Sequence, residues 1–130
     1  MNPVVLGRNL ETEILAFNRV SNIGVSKIYI ATPKSMREFV GEMQKGMTEF
    51  EIFTGDHLAP FLKSSHESCP DEVYDDRIND FESLIEQEIC SKSVYFLGSA
   101  SSSWSTHISQ ERIVSGMGAH DILNSVLFEN

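Results

Sequence analysis

Val94-Tyr95-Phe96-Leu97-Gly98-Ser99-Ala100-Ser101-Ser102-Ser103-Trp104-Ser105-Thr106-His107-Ile108 is the stretch whose reading decides the fold. An apolar run of strand type, Val94 to Leu97, stops at Gly98 and crosses a loop of small residues. It resumes at Trp104 with helical spacing to Ile108 and Ile113. A strand that passes into a helix in this way presents backbone N–H groups that nothing inside the helix satisfies, and the hydroxyls of Ser101, Ser102 and Ser103 add further donors. Phosphate is the guest that such a junction suits. Serine-rich loops are also common connectors, and this one lacks the Lys of a P-loop, the spaced glycines of a dinucleotide fingerprint and the glycine that follows the serine of a nucleophile elbow. Composition alone leaves both readings open.

Working upstream, Ile78, Phe81, Leu84, Ile85 and Ile89 place one apolar face on a helix, with Cys90 directly after it. Glu86 and Glu88 fall on that helix's polar side near its C-terminal end, where carboxylates oppose the helix dipole, and a solvated acidic face is the plain expectation. The stretch from His57 to Asp76 reads as a long surface loop with one helical turn around Leu58 to Leu62. Before it, Glu49 to Phe53 alternates as a strand and Thr54-Gly55-Asp56 turns the chain. Lys27 to Ala31 is a second β-branched and aromatic run. Thr32-Pro33 then reads as a cap with proline at the first helical position, and Ser35 with Glu38 as a capping box for a helix burying Met36, Phe39, Val40 and Met43. From Asn9 to Val20, Leu10, Ile14 and Phe17 recur at helical spacing, with Gly24 placed as the terminator. Downstream of Gly116 and Gly118, Ile122, Leu123, Val126 and Leu127 predict a last helical segment.

Helix, strand, helix, strand, helix, strand, helix is the order a parallel sheet with crossover helices requires. The expected fold class is α/β, a single Rossmann-like domain over residues 1–130, with ligands beyond the carboxyl ends of the strands, where Thr32, Asp56 and the serine loop lie. Three strands make a small sheet with two edges to cover. The chain is accordingly expected to oligomerise or to be part of a larger fold.

A chain of 130 residues buries roughly two-thirds of the surface its unfolded form exposes. Its net charge of -9, from 10 basic and 19 acidic residues, argues against nucleic acid or an anionic membrane as the main partner. No segment is apolar enough to span a bilayer. Arg8, Glu11, Glu13 and Arg19 occupy the region where a signal peptide needs an apolar core, so the chain as written is expected to remain cytoplasmic. Cys69 and Cys90 lack metal-ligand spacing, and His57, His66, His107 and His120 are scattered, so no metal or other cofactor is expected. Trp104 suits either a core position or a ring stacked on a base or sugar.

Ile85-Glu86-Gln87-Glu88-Ile89-Cys90, then Phe96-Leu97-Gly98-Ser99, then Ser102-Ser103-Trp104-Ser105 with Ile108 and Glu111-Arg112 resembles the C-terminal signature of the GDP-fucose protein O-fucosyltransferases. The likeness is greatest to the type that modifies thrombospondin repeats. Ile28-Tyr29-Ile30-Ala31-Thr32 is similar to an upstream strand end of that family, and the likeness runs from about Leu10 to Gly116. It implies the C-terminal, donor-binding lobe of a GT-B-type glycosyltransferase that moves fucose from GDP-fucose to Ser or Thr of a protein acceptor, such as one with thrombospondin-type repeats. It also implies the endoplasmic reticulum, inversion at the sugar and no metal. Glu86 would bind guanine in place of an Asp, Ser102 and Ser103 the β-phosphate, and Trp104 would replace a Phe.

The chain departs from the family at Pro33, where an Asp is usual, and in lacking the pair of cysteines near the family's C-terminus. The family's phosphate-clamping Arg and the acidic residue proposed as its base lie upstream of everything in this sequence. No catalytic residue is therefore assigned, and a partial chain inactive alone is expected. The alternative is a non-catalytic α/β interaction module on the same scaffold, with the acidic stretch from Glu67 to Asp80 as its partner surface.

Overall fold

The computed structural model describes residues 2–58, 60–62, 71–99, 103–116 and 120–123, with the backbone alone at 71–80, 99, 103 and 120–123. The architecture is mixed α/β and mostly helical. Helix α1 (Pro3–Ser21) leads to strand β1 (Lys27–Ile30), a three-ten turn (Lys34–Met36) and helix α2 (Arg37–Gln44). Strand β2 (Glu51–Thr54), a second three-ten turn (Gly55–Leu58), helix α3 (Asp71–Lys92), strand β3 (Leu97–Ser99), helix α4 (Ser103–Val114) and strand β4 (His120–Leu123) follow. Among the described residues, β1 pairs in parallel with β2 and β3 in parallel with β4, as two ladders rather than the single three-stranded sheet expected.

Helix α1 begins earlier than its apolar spacing suggests because Asn2 accepts from the Val4 amide at 2.9 Å and Pro3 fills the first position, where its missing N–H costs nothing. It ends at Asn22 in the left-handed conformation (φ 57°), not at Gly24. Asn18 then pins the following link from both sides, donating to the Val25 carbonyl and accepting from the Val25 amide, each at 2.9 Å. This sets the entry of β1.

The β1–β2 register pairs Ile28 with Ile52 and Tyr29 with Phe53, and side chains alternate between the two faces. One face places Ile28, Ile30 and Ile52 against a core of Leu6, Ile14, Val40, Met43 and Met47 from α1, α2 and the turn after α2. The other turns Tyr29 and Phe53 toward α3. A second, smaller core gathers Cys90 of α3, Phe96 and Ile108 of α4, with Ala31 and Trp104 packed on it. The ring of Tyr95 stacks on Phe17 of α1 at 4.0 Å, and Tyr95 and Leu97 also touch the larger core, so the two cores are joined.

Several local expectations give way. Thr32 caps nothing: Pro33 is the cap of the three-ten turn, neither it nor Met36 makes a side-chain cap bond, and the Ser35–Glu38 box does not form. A three-ten turn ahead of α2 moves both side chains off the positions a capping box needs. The loop expected up to Asp76 is already helical from Asp71. Strand β3 starts at Leu97 rather than Val94, because Tyr95 is drawn to Phe17 and Val94 points to solvent. The helix expected after Gly118 is instead strand β4, in which Ile122 and Leu123 lie; pairing with β3 overrides one turn of helical spacing. Val126 and Leu127 lie outside the described residues. Met36, Leu84 and Ile113, expected inside, are exposed.

Candidate functional site

Helix α3 buries a polar row. Its half-buried residues Phe81, Ile85 and Ile89 carry the apolar stripe, but the row beside them, Glu82, Glu86 and Cys90 at intervals of four, goes deeper. Glu82 and Glu86 are 7% and 8% exposed. The solvated acidic face expected for Glu86 is thus overturned, while Glu88 does face solvent, paired with Lys92. Two carboxylates so enclosed need partners, and each finds one across the fold.

Arg37, at the start of α2, supplies the first. Its Nη2 meets Glu82 Oε1 at 2.9 Å, its Nε lies 3.3 Å from Asp56 Oδ1, and its Nη1 donates to the Thr32 carbonyl at 3.3 Å. The guanidinium therefore ties together the end of β1, the turn after β2 and α3. Gly55 makes room for it, since a Cβ there would collide with Glu82 Oε1 and Arg37 Nη2. The Thr32 hydroxyl is buried beside this group without a hydrogen-bond partner among the described residues. Close by, His57 Nδ1 accepts from the Thr54 amide at 3.0 Å, which closes the turn after β2.

Glu86 is held from β1. Tyr29 donates its hydroxyl to Glu86 Oε2 at 2.9 Å. Burial raises the Glu86 carboxyl above its ordinary value; the Tyr29 bond opposes that rise, Glu82 adds to it and Arg37 lowers it. The Tyr29 phenol is pushed far above its usual value, by burial first and by Glu86 second. Tyr29 is a donor at any ordinary pH. Below Glu86 on the same helix, burial and then the Glu86 charge push the Cys90 thiol up to about 11, so it is a protonated packing group rather than a nucleophile.

At the far end of α3, Arg112 of α4 is 1% exposed. Its Nη1 donates to the carbonyls of Cys90 at 2.9 Å and Ser91 at 3.3 Å, in the last turn of α3, where a helix leaves carbonyls unpaired, and to that of Ser93 just past it at 2.6 Å. The guanidinium also lies 5.9 Å from the Phe96 ring centroid. The separated residues Cys90, Phe96, Ile108 and Arg112 are thus one packed unit.

Of the site residues expected from sequence, Glu86 lies at the β1–α3 contact and Trp104 on the core shared with Ala31, the residue after β1. Ser103 opens α4. Ser102 and the hydroxyl of Ser103 lie outside the described residues and atoms, as do the side chains of the acidic stretch. A shallow cleft of about 360 Å³ opens beside Tyr29, lined also by Lys27, Phe53 and Ile89. Among the described residues no cluster of His, Cys, Asp and Glu could hold a metal ion, and no helix is long and apolar enough to cross a membrane.

Sequence reasoning missed Tyr29, Arg37 and Glu82. The i, i+4 spacing of Glu82 and Glu86 beside the apolar row of α3 was the available signal; their partners, 45 and 57 residues away, had none. Compared with protein-family models, curated proteins and solved structures, the chain matches none.

Proposed function

We propose that the chain is the donor-binding C-terminal portion of a GDP-fucose protein O-fucosyltransferase, the Rossmann-like C-terminal half of a GT-B-type enzyme. It binds GDP-fucose and transfers little or no fucose alone. One observation carries this reading: β1 and the residue that follows it touch both halves of the expected site, Tyr29 through the Glu86 carboxylate and Ala31 through the core on which Trp104 rests. On this reading Glu86 would serve the guanine edge and the start of α4 the phosphate, and both have a neighbour at the same strand end.

The chemistry suits the parts. Guanine offers N–H donors on its Watson–Crick edge that a carboxylate accepts. A departing GDP gathers negative charge on its β-phosphate, which hydroxyls of Ser102 and Ser103 and the first N–H groups of α4 would stabilise. Trp104 offers a flat apolar surface at the same helix start. Calorimetry with GDP against ADP tests the reading: GDP preference that is abolished by Glu86→Ala with Ser103→Ala is expected, and equal or absent binding of both nucleotides removes it. Donor hydrolysis by the chain alone tests the second half, and robust turnover would contradict it.

The interaction-module reading has its own supporting observation. Arg37 pairs with Glu82 and Asp56 beyond β2, so the charged side chains at that strand end serve one another as structural partners. On that reading the double substitution leaves partner binding intact.

A further inference from the structure

The geometry points to Tyr29 as a positioning residue for the guanine end of the donor site: its hydroxyl, 2.9 Å from Oε2, fixes the plane in which the Glu86 carboxylate would accept guanine N–H donors. This rests on the donor-site reading above. Glu86 is enclosed, and among the described residues the titratable groups that act on it are Tyr29 from β1, Arg37 from α2, and Glu82 and Cys90 from its own helix. Glu82 repels its charge, and the Cys90 thiol stays protonated. Arg37 is the nearby cation, but its Nη1 donates to the Thr32 carbonyl and its Nη2 to Glu82 rather than to Glu86. Among the described residues Tyr29, at 2.9 Å from Oε2, donates directly to the carboxylate.

An ionised carboxylate has about four lone-pair positions, and one phenol O–H occupies one of them. The Tyr29 bond is made to Oε2 and restrains the group from rotating away from β1. A protonated Glu86 would instead present an O–H toward guanine donors, and recognition would fail. The Tyr29 bond works against that protonation, in opposition to burial and to Glu82.

Tyr29→Phe removes one oxygen and keeps the ring beside Phe53. Two measurements on the natural chain and this variant test the idea: the Glu86 carboxyl followed by ¹³C NMR against pH without nucleotide, and calorimetry with GDP, IDP and ADP between pH 5 and 8. The Glu86 midpoint is expected to rise in the variant. At the acid end of that range the variant should bind GDP more weakly than the natural chain, by at most about tenfold, the midpoint shift expected on losing a hydrogen bond to a charged group, with the gap closing as pH rises through the variant's Glu86 midpoint. Preference for GDP over IDP, which lacks the 2-amino donor, should shrink in parallel, and in a Glu86→Gln background Tyr29→Phe should have no pH-dependent effect.

Equal Glu86 midpoints in a chain that prefers GDP to ADP would overturn the role of Tyr29 alone. So would a GDP loss of the same factor at every pH, which marks a packing role. A midpoint that moves in a chain that does not distinguish GDP from ADP would overturn the donor-site reading, and the guanine role with it.

Discussion

Arg37 is a cation between two carboxylates, one nearly enclosed and one at the surface, and the difference decides what each is worth. Asp56 is largely exposed and its contribution is small, whereas Glu82 is 7% exposed and has Arg37 as its charged partner. Arg37→Met leaves that carboxylate enclosed without its cation and is expected to cost about 3–5 kcal/mol in urea unfolding. Arg37→Met with Glu82→Leu should recover most of this loss, because a buried pair contributes little over an apolar one of similar volume. Glu86 makes a different prediction. Its folded-state proton affinity is raised, so its contribution to stability is present below the unfolded value near 4.5 and is lost as pH rises through the folded value. Glu86→Gln, neutral at every pH and still able to accept from Tyr29, should melt higher than the natural chain at pH 7. The difference should vanish at pH 4 and below, as read by melting temperature against pH.

Close approach governs the elements. A Cβ on Gly46 would meet the Val4 carbonyl and lie 2.8 Å from the Arg8 amide nitrogen, and one on Gly7 would strike the Met43 carbonyl. The backbone of α1 and the turn after α2 touch there. Gly46→Ala is expected to destabilise by about 1–3 kcal/mol, the usual range for overpacking. Gly41→Ala, inside α2 with nothing within 4 Å of the new Cβ, should stabilise by up to about 1 kcal/mol; denaturant midpoints of the two variants check the contrast. At this scale the existence of α1, α2, α3, β1, β2 and α4 was legible, since each has a periodic core face or a β-branched run. Their ends were less so. Asn2 and Asn22, not the periodicity, set the limits of α1. Strand β3 slid downstream because one ring pair, Phe17 with Tyr95, outweighed the local propensity of Val94 and Tyr95. The strand at 120–123 was misread because its partner, not its own spacing, makes it a strand.

Over the whole molecule the net charge of -9 adds self-repulsion that compactness must overcome. Raising salt from about 10 to 150 mM shortens the Debye length from about 30 to 8 Å. Melting temperature is therefore expected to rise by a few degrees across that range, and a fall would mean that surface ion pairs such as Lys45–Glu42 and Lys92–Glu88 outweigh the net repulsion. Of the candidate site, single residues were legible and the arrangement was not. Glu86 and Trp104 carried a signal in sequence, but the burial of Glu86 depends on Tyr29 and Arg37, which no local pattern connects to it. Trp104, the single tryptophan, rests half-buried on the core of Cys90, Phe96 and Ile108. Excited selectively at long wavelength, the chain thus carries one intrinsic fluorophore at its C-terminal core and none at its N-terminal one. The red shift of that emission during denaturation clocks when the smaller core opens to water, while the dichroism of the long helices keeps separate time.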